Sequence, residues 1–388
     1  MPRITGVAVH RVPPRWFFVE VSTDDGVTGW GEAILPKRAA AVTGAIGDLA
    51  RNVTGADCDR IEELWQRMRR GGFFRDGPVL ATAAAAIEQA LWDIKGRRNG
   101  LPVHEFLGGA VRDRVRVYAW VGGDRPADVV AHVKTRLAQG YTAVKMNATA
   151  ELDLVDRASR VDEVVARVAS VREAFGLSVD VALDFHGRVH RPMARALLRE
   201  LEQFSLMWVE EPVPPGQEDL LPGLARIAGR TPIATGERLL TPEAFARLLS
   251  GGGADIIQPD VCLTGLFGLE KLCRMAEAYD VAVAPHCPNG PLALAASLQV
   301  ACCAGNVVIQ EQSLGLHYHQ GYDELPPGEM FDYLADPAPL TPEGGQLSRP
   351  RGAGLGIALD GDAVRDRASD WWLRDPDWRL DDGRTAEW

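Results

Sequence analysis

Short apolar runs that end in polar or charged residues recur along the middle of the chain. Six of these runs are VALDFH (181–186), MWVEEP (207–212), PIATGE (232–237), ADIIQPD (254–260), VAVAPHCP (281–288) and VVIQEQS (307–313). Their successive polar ends, from Asp184 to Glu311, are separated by 23 to 27 residues. Because that interval holds one buried parallel strand, one helix and two loops, the pattern predicts a series of β/α units.

The same pattern extends towards the N-terminus by two strands. The runs VRVYAWVGG (115–123) and AVKMN (143–147) bring the number of predicted strands to eight. Pro126 and Gly140 mark the start and the end of a helix between the first two strands. Amphipathic segments between the later strands predict helices at about 151–175, 192–204, 218–229, 241–251, 266–279 and 291–304. No comparable helix directly follows the eighth strand. Residues 115–323 are therefore predicted to form a (β/α)7β barrel of the TIM type, whose strand ends converge on one mouth.

Residues 1–114 show a different pattern. The alternating stretch 16–33 contains an Asp-Asp-Gly turn and predicts a β-hairpin. Helical patterns follow at about 37–54, 59–69 and 78–97. We therefore expect an α+β capping domain beside the barrel, within an α/β protein. Residues 324–388 are expected to return to this cap, with 354–364 as one more short element.

Composition restricts the class of protein. The chain has 388 residues, 46% apolar content and a formal net charge of −11. An acidic balance without a basic cluster disfavours nucleic acid and anionic membrane as partners. The chain shows no signal-peptide pattern and no apolar run as long as a membrane span, so a cytoplasmic enzyme is expected. The six cysteines form no CxxC pair, which favours buried thiols over disulfides.

Three carboxylates end neighbouring predicted strands. Asp184, Glu210 and Glu237 follow strands three, four and five. Three like charges forced together require a cation, and hard carboxylate oxygens favour Mg²⁺. For any one of these acids the alternative is a strand-end cap or a surface salt bridge. Glu211, beside Glu210, is expected on the opposite side of the strand.

Two histidines are candidate proton-transfer groups. His286 ends the seventh predicted strand and Asp260 ends the sixth, so the carboxylate can bond one imidazole nitrogen and make the other a general base. A histidine without such a partner is more often structural. His186 lies two residues beyond Asp184, and strand alternation would place both side chains on one face. Glu311, at the end of the eighth strand, could stabilise an oxyanion if protonated, or hold substrate hydroxyl groups.

The second predicted strand ends in two polar side chains on one face. Lys145 could neutralise a substrate carboxylate, and Asn147 offers hydrogen bonds. The alternative for Lys145 is a salt bridge to one of the metal carboxylates.

Longer motifs carry a resemblance to a known family. They include PPRW (13–16), ALWDIKG (90–96), LDFHGRV (183–189), EEPV (210–213), GER (236–238), QPD (258–260), APHCP (284–288) and EQS (311–313). With these motifs the chain resembles the enolase superfamily, mandelate racemase subgroup, over nearly its whole length. The resemblance implies a capped (β/α)7β barrel, a homo-oligomer, and the dehydration of an acid sugar, with D-galactonate as the first expectation.

The resemblance also implies residue roles. The three strand-end carboxylates would bind one Mg²⁺, which grips the carboxylate of the substrate. The pair of His286 and Asp260 would remove the proton alpha to that carboxylate. His186 would donate a proton to the departing 3-hydroxyl, and Glu311 would assist the enediolate. The product would be a 2-dehydro-3-deoxy acid.

Specificity in this superfamily is set largely by loops of the cap. The corresponding segments lie at about 13–20, 33–38 and 71–77. Candidate substrate contacts in them are Arg15, Trp16, Lys37, Phe73 and Arg75.

Several alternatives differ from this expectation. A dehydratase of another aldonate, gluconate or a pentonate, would carry the same barrel motifs. A racemase or epimerase is disfavoured, because the racemase pattern has Lys-x-Lys where this chain has Lys145-Met146-Asn147. A sugar-acid-binding protein without catalysis would not need the two histidines. An amidohydrolase would need His-x-His on the first strand, where this chain has Tyr118 and Trp120.

Overall fold

The computed structural model describes residues 1–122, 126–312, 331–370 and 378–387. Ser313 of the EQS motif and the predicted boundary at 323/324 lie outside these residues. None of the helices in the described ranges combines the length and hydropathy of a membrane span. All six cysteines are buried free thiols.

The N-terminal part forms a three-stranded antiparallel sheet followed by helices. The elements are β1 (Ile4–Val12), β2 (Trp16–Thr23), β3 (Thr28–Glu32), α1 (Ala39–Val53), α2 (Ile61–Arg70), α3 (Pro78–Asn99) and a short 3-10 helix, Val103–Leu107. The strand order is β1-β2-β3. The predicted hairpin is β2–β3, and its turn contains Gly26 at φ +82°, a conformation that glycine adopts without strain. Strand β1 was not predicted.

Helix α3 packs closely on β3 because two strand positions are glycine. A Cβ atom on Gly29 would lie 2.2 Å from the carbonyl oxygen of Ala90, and one on Gly31 would lie 2.0 Å from that of Ala86. Both distances are far below van der Waals contact. The alternation of glycine with Trp30 and Glu32 therefore lets the alanine-rich face of α3 approach the sheet backbone directly.

The middle of the chain forms the predicted barrel. Its strands are β4 (Arg114–Val121), β5 (Ala143–Asn147), β6 (Asp180–Asp184), β7 (Trp208–Glu210), β8 (Ile233–Thr235), β9 (Ile256–Ile257), β10 (Ala282–Val283) and β11 (Gln310–Glu311). Neighbours from β4 to β10 pair in parallel and in sequence order. The last strand pairs with β4, and a parallel bridge between Val283 and Val307 joins the segment just before this strand to β10. The eight strands thus close into a barrel.

Helices connect the barrel strands as predicted. They are α4 (Pro126–Ala138), α5 (Ala158–Phe175), α6 (Arg191–Leu201), α7 (Leu221–Ala228), α8 (Pro242–Gly251), α9 (Val261–Thr264), α10 (Leu266–Glu277) and α11 (Pro291–Cys303), with 3-10 turns at Glu202–Phe204 and Glu218–Leu220. Helix α8 begins at the Thr241-Pro242 pair, where the Thr241 hydroxyl accepts a hydrogen bond from the Ala244 N–H. Among the described residues that connect the barrel strands, the single-turn α9, between β9 and α10, was not predicted.

Two buried carboxylates join the cap to the barrel. Glu32, at the end of β3, accepts hydrogen bonds from the N–H groups of Gly290 (2.7 Å) and Ala293 (2.8 Å) at the start of α11. Glu88 of α3 accepts one from the Leu266 N–H (2.8 Å) at the start of α10. Burial raises the pKa of Glu32 to about 7 although these N–H groups favour its charged form. A carboxylate at a helix N-terminus satisfies exposed N–H donors and complements the helix dipole.

The C-terminal segment contacts both parts of the protein. Strand β12 (Gln346–Ser348) pairs antiparallel with β4, after a 3-10 turn at Ala338–Leu340. Helix α12 (Gly361–Arg367) lies at the cap, where Arg365 contacts Glu20 at 2.8 Å. Residues 378–387 instead lie against barrel loops, with Arg384 at 2.6 Å from Asp153. Helix α12 thus contacts the cap, whereas residues 378–387 contact the barrel.

Replacing Gly31 by alanine should destabilise the protein, because the new methyl group would overlap the Ala86 carbonyl. The expected cost is about 1–3 kcal/mol, which is typical of overpacking, measured as a lower melting temperature. The matched control is Gly44→Ala in α1, where a Cβ would meet nothing within 4 Å. That change should be neutral or stabilise by up to about 1 kcal/mol. Equal melting temperatures for the two variants would contradict the close packing of α3 on β3.

Candidate active site

Three acidic side chains meet at the carboxyl end of the barrel. Asp184 and Glu210 end β6 and β7, and Glu237 lies two residues beyond β8. One carboxylate oxygen from each lies within 4.8 Å of the other two, and all three residues are buried. The structure therefore brings together the trio that was predicted as metal ligands.

The donor set of this trio fits a divalent cation. Oδ2 of Asp184 and Oε2 of Glu237 are buried, and their contacts among the described residues are ion contacts: Lys145 and His186 lie 3.2 Å from the first oxygen, and His286 lies 3.4 Å from the second. The third acid is held in place by the Trp208 indole N–H, which donates to Oε2 of Glu210 at 2.9 Å. Burial raises the pKa of Glu210 well above its usual value, and the nearby Asp184 carboxylate raises it further. Such crowding of carboxylate oxygens suits a hard ion of the Mg²⁺ or Ca²⁺ type.

Lys145 contacts this acidic cluster directly. Its Nζ lies 2.7 Å from Oε1 of Glu210, 3.0 Å from Oε1 of Glu311 and 3.2 Å from Oδ2 of Asp184. The salt bridge considered as the alternative role of Lys145 is therefore present. Burial alone would lower the pKa of Lys145, but the surrounding carboxylates raise it well above its ordinary value. The ammonium group thus partly neutralises three acids.

Asn147 lies beside Asp184, its partner in the β5–β6 register. The side-chain oxygen of Asn147 is buried and has no hydrogen-bond partner among the described residues. A buried amide oxygen without a partner costs free energy, and a substrate hydroxyl could satisfy it.

His286 and Asp260 form a hydrogen-bonded pair. Nδ1 of His286 lies 2.8 Å from Oδ2 of Asp260. Asp260 also accepts hydrogen bonds from the Cys262 N–H (2.7 Å) and from the Asn289 side-chain amide (3.1 Å). Asp260 does not end a strand as expected, because β9 ends at Ile257 and Asp260 is the N-cap of α9. The two side chains nevertheless lie side by side, because a backbone bridge joins Asp260 to His286.

The other nitrogen of His286 faces the acidic cluster. Nε2 lies 3.4 Å from Oε2 of Glu237 and 3.9 Å from Oε2 of Glu311. Burial by itself would lower the pKa of His286, but Glu237, Glu311 and Asp260 outweigh it and raise the pKa to about 10. A cation held by Glu237 would weaken the largest of these attractions and lower the pKa towards the range in which the ring accepts a proton.

Glu311 closes the cluster on the side of the last strand. It is buried, and its Oε2 accepts a hydrogen bond from the Cys287 N–H at 2.8 Å. With Lys145 of β5 on its other oxygen, the carboxylate is held between β5 and the loop that carries His286. This position is compatible with contact to a substrate in the mouth of the barrel.

His186 reaches the cluster from another side. Its Nε2 lies 3.2 Å from Oδ2 of Asp184. The strand ends at Asp184, and His186 has φ +50°, so a left-handed turn and not strand alternation places the ring there. Two hydrogen bonds hold this turn: the His186 N–H donates to Oδ1 of Asp184 at 2.7 Å, and Arg238 donates to the His186 carbonyl at 2.6 Å. Strained backbone of this kind is common at functional sites.

The His186 ring is fixed by two neighbours. The Trp120 ring stacks on it with centroids 5.5 Å apart, and the Arg188 guanidinium donates to its Nδ1 at 2.7 Å. Burial lowers the pKa of His186 to about 4, and the positive charge of Arg188 contributes. Sequence reasoning gave no site role to Arg188, Arg238 or Asn289, because no spacing rule connects loop residues to a ring on another element.

The candidate cap residues take different positions. Arg15 donates to the Pro288 carbonyl at 2.6 Å, in the loop that follows His286. Trp16 is fully buried at the start of β2, so its side chain offers no exposed face for a substrate in this structure. Lys37 is half-buried with φ +65°. Phe73 is 92% exposed, and Arg75, also exposed, donates to a carbonyl of its own loop.

Two family models match the two parts of the chain. Residues 6–108 match the mandelate racemase/muconate lactonizing enzyme N-terminal domain, and residues 128–363 match the enolase C-terminal domain-like family. The chain belongs to the mandelate racemase subgroup of the enolase superfamily. The resemblance expected from the motifs is confirmed, and the capped barrel is the architecture of this superfamily.

Curated relatives in this superfamily align over the full chain. The protein is 48% identical over 392 aligned residues to the D-galactonate dehydratase of Ralstonia nicotianae, and 44% identical to that of Pectobacterium atrosepticum. Both alignments cover 100% of this chain and 100% of the relative.

Solved structures of superfamily members have the same fold. An enolase from Agrobacterium radiobacter with bound Na and L-malate superposes with a TM-score of 0.87 at 31% identity, covering 99% of each chain. An enolase superfamily member from Salmonella Typhimurium gives a TM-score of 0.84 at 28% identity, covering 94% of this chain and 98% of the other.

Replacing Lys145 by methionine should destabilise the metal-free protein more than the metal-loaded one. In EDTA the variant lacks the ammonium group that contacts three buried carboxylates. The free energy of unfolding should fall by about 3–5 kcal/mol. With Mg²⁺ the bound ion compensates part of this loss. Melting temperatures measured in both buffers give the comparison.

The matched control is Lys271→Met, which removes a half-exposed pair with Glu62 at 2.7 Å. Its effect should stay within about 1 kcal/mol in either buffer. An equal loss with and without Mg²⁺ for Lys145→Met would show that the lysine and a bound metal ion do not balance the same buried charge.

Proposed function

We propose that this protein is an Mg²⁺-dependent dehydratase that converts D-galactonate into 2-dehydro-3-deoxy-D-galactonate and water. One observation carries the proposal: two imidazoles reach one buried carboxylate trio from different sides. Nε2 of His286 lies 3.4 Å from Glu237, and Nε2 of His186 lies 3.2 Å from Asp184. Elimination of water needs a group that removes a proton and a second group that assists the departing hydroxyl, and this arrangement supplies both.

The metal ligands in this proposal are Asp184, Glu210 and Glu237. Their oxygens lie close together in a buried site, and the hard oxygen donors favour Mg²⁺. A bound divalent cation supplies positive charge for the substrate carboxylate and for the negative charge that develops when the α-proton leaves.

The first chemical step belongs to His286. Asp260 accepts the hydrogen bond from Nδ1–H, which leaves the lone pair on Nε2 to take the proton from C2 of the substrate. The C2–H bond breaks, and its electron pair moves into the enediolate. Glu311 and Lys145, which contact each other at 3.0 Å, lie where they can contact this anion.

The second step belongs to His186. Its Nε2–H faces the cluster and donates the proton that leaves with the 3-hydroxyl as water. The C3–O bond breaks with its electron pair on oxygen, and the enediolate electrons form the C2–C3 double bond. The resulting enol tautomerises to the 2-keto acid. His286 gains one proton and His186 gives up one, so the reaction is balanced.

The residue at the end of β5, Asn147, supports a dehydratase better than a racemase. Racemisation needs a base on each face of the substrate carbon, and Asn147 is not a base at any ordinary pH. Its buried side-chain oxygen, without a hydrogen-bond partner among the described residues, fits contact with a substrate hydroxyl.

The choice of D-galactonate rests on the relatives. The D-galactonate dehydratases of Ralstonia nicotianae and Pectobacterium atrosepticum align over the whole chain, including the cap. The Agrobacterium radiobacter structure binds L-malate, which, like D-galactonate, is a 2-hydroxy carboxylate. We therefore propose that the metal site binds the carboxylate and the 2-hydroxyl group of the substrate. A gluconate or pentonate dehydratase is the second candidate. The homo-oligomer and the cytoplasmic location stay predictions.

A panel of aldonic acids tests the substrate and the cofactor together. With Mg²⁺ the protein should form a 2-keto-3-deoxy product fastest from D-galactonate, compared with D-gluconate and the pentonates. EDTA should abolish the activity, and added Mg²⁺ should restore it. Glu237→Gln should remove activity, whereas Asp59→Asn, in an acidic cluster of the cap, should not. No product from any acid sugar would contradict the dehydratase assignment.

Separate histidine variants test the two proton-transfer roles. His286→Asn should abolish both product formation and the exchange of the substrate α-proton in deuterated water, because the base is lost. His186→Asn should keep exchange and lose elimination by about 10²–10⁴-fold, the usual contribution of a proton-transfer group. NMR spectra of the substrate and product follow both reactions. The opposite pattern would reverse the roles.

A further inference from the structure

The Nδ1 edge of the His186 ring is contacted by Arg188, a residue to which the sequence analysis gave no role in the site. Arg188 is 6% exposed, and its Nη2 lies 2.7 Å from Nδ1 of His186. Arginine can only donate hydrogen bonds, so Nδ1 must be the acceptor. A neutral His186 therefore carries its proton on Nε2, the nitrogen that lies 3.2 Å from Asp184 and faces the acidic cluster.

Arg188 is in turn covered by the C-terminal tail. Its guanidinium carbon lies 5.4 Å from the centroid of the Trp378 ring, a distance at which a cation and an aromatic face attract. The Trp378 carbonyl accepts a hydrogen bond from the Ala386 N–H, and this bond closes a turn over residues 378–386. Ion contacts hold this turn on the barrel, including Arg384 to Asp153 at 2.6 Å.

We propose that Arg188 and the Trp378 ring of the C-terminal tail are positioning residues, which hold His186 with its Nε2–H towards the reacting substrate. This inference rests on the proposed dehydration. Arg188 fixes the tautomer and the ring orientation through the hydrogen bond to Nδ1. It also places a positive charge behind the ring, which stabilises the electron density left on Nε2 when the proton departs with the hydroxyl. Trp378 restricts the guanidinium to the orientation that makes this bond.

The arrangement predicts an effect on only one of the two proton-transfer steps. His286 is oriented by Asp260, independently of Arg188. Loss of Arg188 should therefore leave removal of the α-proton intact and slow the departure of the hydroxyl.

The kinetic test compares α-proton exchange with product formation in Arg188→Met, using D-galactonate and Mg²⁺ in deuterated water. Product formation should fall by about 10–100-fold, the usual cost of removing a group that orients an active-site ligand, while exchange stays at the wild-type rate. Trp378→Leu should show the same pattern with a smaller loss. Arg188→Lys keeps the charge without the planar donor and should recover only part of the activity.

The matched control is Arg365→Met, which removes another arginine that lies over a tryptophan, 5.9 Å from the Trp30 ring in the cap. Both rates should stay at the wild-type level in this variant. Equal losses of exchange and elimination in Arg188→Met and Trp378→Leu would overturn the proposal, as would no loss of either. Trp378→Leu gives a separate test if Arg188→Met does not fold.

A spectroscopic measurement separates this proposal from the proposed function. In protein labelled with ¹⁵N at its eight histidines, the His186 resonances are assigned by their loss in His186→Asn. The wild type should show a protonated Nε2 and an unprotonated Nδ1, and Arg188→Met should show a mixture of both tautomers. An unchanged tautomer in Arg188→Met would overturn the positioning role. The predicted shift in a protein that dehydrates no acid sugar would uphold the positioning role and reject the function.

Discussion

The concentration of buried negative charge at the mouth of the barrel is the constraint on which the rest of the site depends. Asp184, Glu210, Glu237 and Glu311 are almost completely removed from water. Like charges in such an environment raise one another's pKa or require a cation. Lys145 supplies part of that positive charge through contacts with three of these acids. Each histidine lies against a different acid of the trio, and His286, whose pKa Glu237, Glu311 and Asp260 raise, adds to this balance.

This balance links the fold to the chemistry. Parallel strands in a closed barrel bring residues that are far apart in sequence to one level, so the acids meet without any local sequence signal between them. Removing the site from water makes each charge interaction stronger than it would be at the surface. Binding of a cation then changes the environment of both imidazoles at once, because Glu237 lies against His286 and Asp184 lies against His186.

The sequence predicted the parts of the site that follow from periodicity. The spacing of the strand ends placed the acidic trio and His286, because a regular β/α repeat has a fixed geometry. It did not predict how Asp260 is held, since the strand is shorter than the apolar run and a helix N-cap replaces the strand end. Nor did it predict Arg188, whose contact with His186 depends on a turn with positive φ. Trp16 is an aromatic residue in a predicted loop, yet packing buries it completely.

The carboxylates of Glu32 and Glu88 have a consequence for how such enzymes diversify. Both belong to the cap, and both satisfy the N-termini of barrel helices, α11 and α10. A barrel separated from its cap would lose these acceptors and leave the N–H groups at those helix ends without them, so we expect the barrel to be less stable alone. The loops between Glu32 and Glu88 can change without loss of these two contacts. A chimera that exchanges the whole cap must instead place an acid opposite each of the two helix N-termini.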